Sequence, residues 1–86
     1  MADATGQATV VFEDGRCGHT ALFAANAVNT GDTIDVGTHF RVIKRAGLVA
    51  ETNTTVAGVN FTGTVLTIPS GVSNDGVWLI VVGVAL

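Results

Sequence analysis

Val77-Trp78-Leu79-Ile80-Val81-Val82-Gly83-Val84-Ala85-Leu86 is the stretch whose reading decides the fold. Ten residues pass without a charge. β-Branched and aromatic side chains dominate them, which favours a strand over a helix. The run is also about half the roughly 20 apolar residues that a membrane-spanning helix needs. Alternate residues are apolar on both faces, with Val77, Leu79 and Val81 interleaved with Trp78, Ile80 and Val82. Such a strand is expected to be covered on both sides, either between layers or at a seam between subunits.

The composition points the same way. Eighty-six residues make one small domain, which buries only about 60–65% of the surface its unfolded chain exposes. Hydrophobic residues are 48% of the chain and charged residues 13%, where a soluble domain usually carries about a quarter. Part of the surface is therefore expected to be buried against other subunits, and part to be coated by Thr, Asn and Gly. Seven acidic residues against four basic ones leave a net charge of −3, too little positive charge for a nucleic-acid surface. The single cysteine, Cys17, excludes an internal disulfide framework and a Cys-rich zinc site. Residues 1–7 have neither the basic region nor the apolar core of a signal peptide, so synthesis and assembly in a reducing cytoplasm are expected.

Upstream of the final run, turn residues divide the chain into short extended segments. Residues 1–6 read as a mobile arm and residues 7–86 as a single β domain. Ala8 to Glu13 reads as a strand closed by Asp14-Gly15. Residues 20–28 are ambiguous, because four alanines favour a helix while the flanks and the short length favour a strand; the strand is preferred. Thr33 to Val36 follows, then an alternating run over residues 38–52. There Phe40, Val42, Ala46, Leu48 and Ala50 are expected on one face, and His39, Arg41, Ile43, Arg45, Val49 and Glu51 on the other. Gly47 is the expected bulge. A weak strand over residues 55–60, a turn at Phe61-Thr62-Gly63, a strand over residues 64–68 and a turn at Asn74-Asp75-Gly76 complete the chain. Six or seven short strands without a long helix predict an all-β fold, a small antiparallel sandwich or barrel.

Little in this pattern names a reaction. Arg16, Cys17 and His19 stand together, and a thiolate beside those cations would be a nucleophile. No oriented base or oxyanion site accompanies them, so a glycine-rich hairpin loop is the expectation. Cys17, His19 and His39 lack the tight paired spacing of zinc ligands. The acidic residues show no calcium-loop spacing. No catalytic residue, metal or cofactor is expected. The feature that stands out is Arg41, Lys44 and Arg45, three of the four positive charges within five residues. It reads either as a solvated, aggregation-resistant edge or as a docking patch for a negatively charged protein surface.

Gly31-Asp32-Thr33-Ile34-Asp35-Val36, Phe40-Arg41-Val42-Ile43-Lys44-Arg45-Ala46, Leu66-Thr67-Ile68-Pro69-Ser70-Gly71 and Trp78-Leu79-Ile80-Val81-Val82-Gly83 together resemble the small, Thr/Ala/Val/Gly-rich, all-β capsid cement or decoration proteins of tailed phages. The resemblance implies a non-enzymatic virion protein on the outside of the head. It would bridge major capsid protein subunits and self-associate as a trimer or dimer, without nucleic acid or membrane. No motif carries over residue by residue. Partner contacts are therefore expected on physical grounds at Arg41, Lys44, Arg45, Phe12, Phe61 and Trp78. The alternatives are a tail or head-completion protein, or a small β-barrel ligand-binding module.

Overall fold

The computed structural model describes residues 3–14, 19–52 and 56–86. After a 3-10 turn at Thr5–Gln7, eight strands follow: β1 (Ala8–Asp14), β2 (His19–Val28), β3 (Thr33–Asp35), β4 (Phe40–Ala50), β5 (Val56–Gly58), β6 (Asn60–Thr62), β7 (Val65–Thr67) and β8 (Asp75–Ala85). They form a five-stranded sheet, ordered β1-β2-β8-β4-β5, and a three-stranded sheet, ordered β3-β7-β6. Every strand pair is antiparallel. The chain is an all-β protein consistent with a small β-sandwich.

The apolar C-terminal run is the centre of the larger sheet, laddered to β2 on one side and β4 on the other. Only one of its faces is in the core. Val77, Leu79 and Val81 are fully buried, whereas Trp78, Ile80, Val82 and Val84 are on the outside. The expectation of cover on both faces therefore fails within one chain, because the second sheet lies over the inner face alone. Ala21, Phe23 and Ala25 of β2 and Phe40, Ile43, Leu48 and Ala50 of β4 join β8 in that core. Ile34 and Leu66 meet them from the smaller sheet, with Val36 and Ile68 just beyond its strands.

The segment over residues 20–28 is a strand, and an interior one. Buried Ala21, Phe23 and Ala25 alternate with half-buried Thr20, Leu22 and Ala24, and Ala21 and Ala25 are small enough to lie under the second sheet. Asn26 and Ala27 form a bulge in its pairing with β8, where Ala27 takes a left-handed φ of 52°.

The two faces of β4 differ from the alternation expected for residues 38–52. The register against β8 slips between Phe40 and Val42 and again between Ile43 and Arg45, so Arg41 and Lys44 are the extra residues of two bulges. Each bulge reverses the alternation. Phe40, Ile43, Ala46, Leu48 and Ala50 share the inner face, and Val42, Arg45, Gly47 and Val49 the outer one. Gly47 is not the bulge. Gly83 accommodates the distortion, since a Cβ there would collide with the Val42 carbonyl and crowd the Ile43 Cα.

The eighth strand arises at Val59, where the chain passes from one sheet to the other. Val59 is buried and its N–H donates to the Ala46 carbonyl at 3.0 Å, so β5 ends in the large sheet and β6 begins in the small one. Phe61 and Thr62 are thus strand, not turn. The turn is Gly63-Thr64, a two-residue hairpin loop entered by Gly63 at φ 61°. Likewise Asp75 and Gly76 open β8 rather than a turn, and Asn74 alone takes the left-handed conformation. Buried Asp75 accepts the Thr52 N–H at 3.1 Å. Within residues 3–7 the chain bonds to β3. Ala4 is buried and donates to the Thr33 carbonyl, and the Thr5 hydroxyl accepts the Asp35 N–H.

Candidate functional site

The pleat and the registers place three cross-strand rows on the outer face of the large sheet. The first is Phe12, Leu22, Ile80, Gly47 and Gly58. Beside it runs Thr9, Ala24, Trp78, Val49 and Val56. The third is Asp14, Thr20, Val82 and Arg45, with Val84 and Val42 paired beyond it. Phe12 is 55% exposed, Ile80 45%, Val56 75% and Trp78 37%. The face is apolar across all five strands, and Asp14 and Arg45 are the charges of these rows. Soluble monomers seldom expose a contiguous apolar patch beyond a few hundred Å², and larger ones mark interaction sites.

This face is not smooth. Gly47 and Gly58 lie side by side in the first row. A Cβ on Gly58 would meet nothing within 4 Å, and one on Gly47 only the Ala57 carbonyl at 3.8 Å. They leave a trough next to Ile80, flanked by the side chains of Val49 and Val56. Where β5 stops and Val59 departs for the other sheet, the edge of β4 opens into a notch of about 430 Å³. Lys44 and Arg45 line it from β4, and Asn60 and Phe61 from β6. Neither Lys44 nor Arg45 forms a salt bridge among the described residues. The Lys44 bulge carries its ammonium to this edge, and the opening of β4 at residue 46 leaves room for it.

Of the residues expected to meet a partner, Phe12, Trp78 and Arg45 therefore share the outer face, and Lys44, Arg45 and Phe61 share the notch. Arg41 is exposed in the other bulge and joins neither group. Strict alternation no longer relates it to Arg45, because Arg41 is itself the extra residue of one bulge and Lys44, between them, that of the other. Ile80, Val82, Val84, Val42, Val49 and Val56 extend the surface well beyond that set. The apolar alternation of the C-terminal run was their signal, but which of its faces lies outward depends on the second sheet.

The histidines are brought together at the far end of β1. His19 Nε2 and His39 Nδ1 both lie 3.0 Å from Oε1 of Glu13. An ionised carboxylate only accepts, so each ring nitrogen donates, which sets the tautomers: Nε2–H on His19 and Nδ1–H on His39. The bond from His19, with a smaller contribution from His39, holds the Glu13 carboxyl below its ordinary range. The rings also meet aromatic edges, His19 with Phe40 at 4.7 Å and His39 with Phe23 at 5.4 Å. His19 Nδ1 is buried with no hydrogen-bond partner among the described residues. This cluster closes the end of the core. Among the described residues, no group of three or more His, Cys, Asp or Glu is arranged to hold a metal, and no helix is long and apolar enough to cross a membrane. Arg16 and Cys17, the candidates for thiolate chemistry, lie outside the described residues.

No protein-family model, no curated protein and no solved structure matches this chain.

Proposed function

We propose that the chain is a structural, non-enzymatic assembly protein of a virus particle: a cement or decoration protein on the exterior of a tailed-phage head that bridges major capsid subunits. The observation that carries this reading is the outer face of the five-stranded sheet, apolar over all five strands in a chain with few charges. A surface of that kind marks a contact with another protein, whether a shell subunit or a second copy of the chain. The notch beside it supplies the second half of the reading. Lys44 and Arg45, which form no salt bridge among the described residues, are placed to receive acidic groups of a shell protein, with Phe61 as an apolar contact alongside. Charged rims of this type steer association and set the partner's orientation.

The test is co-sedimentation of the purified chain with heads stripped of it, followed by heating of the particles. Saturable binding in many copies, with delayed DNA release, is the expected result. Binding in only a few copies at one vertex would identify a connector or head-completion piece instead, and no binding at saturating protein would refute the reading.

A further inference from the structure

We infer that the outer face of the five-stranded sheet receives a second copy of this chain, packed face to face about a two-fold axis that runs along β8. The inference rests on the assembly reading above and specifies what it leaves open: which surface joins the copies, and in what register. Its ground is that the three rows are complementary to their own reversal. A two-fold axis along the central strand turns each row end for end, laying β2 on the partner's β4 and β1 on the partner's β5. Residues at one height along the strands then face one another.

In the first row, Phe12 meets the partner's Gly58 and Leu22 meets the partner's Gly47, while Ile80 meets its own symmetry mate. Two large side chains enter the two positions that have none. In the second row, Thr9 and Ala24 meet the partner's Val56 and Val49, again the smaller against the larger, and Trp78 lies at the axis. In the third, β5 does not reach the height of Arg45, and that gap is the notch. There Thr20 meets the partner's Arg45, and the notch stays open at the rim of the dimer. An axis perpendicular to the strands would lay β1 on β1 and β5 on β5, setting large side chains against large ones and glycines against glycines.

The size is adequate. Four strands over seven or eight residues and β5 over three, at about 4.8 Å spacing and about 3.4 Å per residue, give a footprint of roughly 540 Å² per copy. That is about 1,100 Å² in total, just above the roughly 1,000 Å² that a specific interface should clear. Aligned packing of two twisted sheets, with mean strand directions within about 30°, is the usual geometry for such faces.

Sedimentation equilibrium of the full chain, from micromolar to several hundred micromolar, tests the inference. The expected species has twice the 8.7 kDa monomer mass. Ile80→Glu, at the axis, and Gly58→Phe, which fills the trough, are each expected to leave a monomer with unchanged far-ultraviolet circular dichroism. Val56→Glu, at a position 75% exposed, provides a third variant with little folding cost. A monomer at every concentration, a trimer, or a dimer indifferent to Ile80→Glu and Gly58→Phe would overturn the inference. A dimer that ignores phage heads refutes the cement reading alone. A monomer that binds heads overturns only the two-fold.

Discussion

Gly83→Ala adds one methyl group to the centre of the molecule, and the structure predicts a large loss of stability. The alanine Cβ would collide with the Val42 carbonyl and come within 3.0 Å of the Ile43 Cα. Both are backbone atoms of the bulged stretch of β4, so no rotamer change relieves the contact. The strands must separate around the Ile43–Gly83 and Val42–Val84 pairs. Losing two or three ladder bonds at about 1 kcal/mol each, and loosening Phe40 and Ile43 by about 1–3 kcal/mol of misfit, gives about 3–6 kcal/mol. An 86-residue domain has roughly 4–13 kcal/mol in all, so this variant approaches the limit of folding. The corresponding fall in Tm is roughly 15–30 °C. The measurement is thermal and urea unfolding followed by circular dichroism, on an Ile80→Glu background so that subunit contacts do not enter. Gly47→Ala is the control, in the same strand pair and with its nearest neighbour at 3.8 Å; it is expected within about 1 kcal/mol of its parent. A Gly83→Ala protein within 1 kcal/mol of its parent would refute the bulge geometry at β4.

Other outcomes follow from neighbouring residues. Leu79→Ala, at a fully buried site, is expected to cost about 3–5 kcal/mol of monomer stability. Trp78→Ala, next along the strand on the outer face, costs clearly less in a monomeric background, and urea titrations of the two separate the faces of β8. Ala27→Gly relieves a left-handed alanine; the gain of about 1–2 kcal/mol less the added unfolded-state entropy leaves a variant equal to or slightly more stable than wild type by the same titration. Glu13→Gln destabilises at neutral pH by weakening the bonds from His19 and His39. Because the Glu13 carboxyl is held below its ordinary value in the fold, its contribution is present above the unfolded-state value and lost as pH falls through the folded one. The difference between wild type and Glu13→Gln, read as urea midpoints across pH 3–7, should therefore shrink below pH 4.5 and disappear once Glu13 is protonated in both states.

The extended character of the chain was legible from local pattern. Residues 77–86, 8–13 and 64–68 alternate or run apolar between turn residues, and period-two burial is a property each strand expresses by itself. The ambiguous residues 20–28 resolved as strand because β1 and β8 offer ladder partners on both sides, which no helix propensity of four alanines can match. Other features were not local. The bulges at Arg41 and Lys44 exist only because β4 is paired to β8 and Gly83 gives way to them. Without that pairing, simple alternation puts Ile43 on the wrong face and sets Arg41 beside Arg45. Val59 crosses between sheets for a similar reason: its burial depends on both.

The candidate surface divides along the same line. By itself, the sequence determined that the C-terminal run carries more apolar surface than a small, weakly charged chain can hide, because hydrophobicity is additive and readable residue by residue. It also named Arg41, Lys44, Arg45, Phe12, Phe61 and Trp78 as the residues expected to meet a partner. Only the tertiary structure decided which face is left over. The three-stranded sheet covers Val77, Leu79 and Val81 and leaves Trp78, Ile80 and Val82 outside. Which side a neighbouring layer protects is a property of packing between segments distant in the chain, and no single segment encodes it.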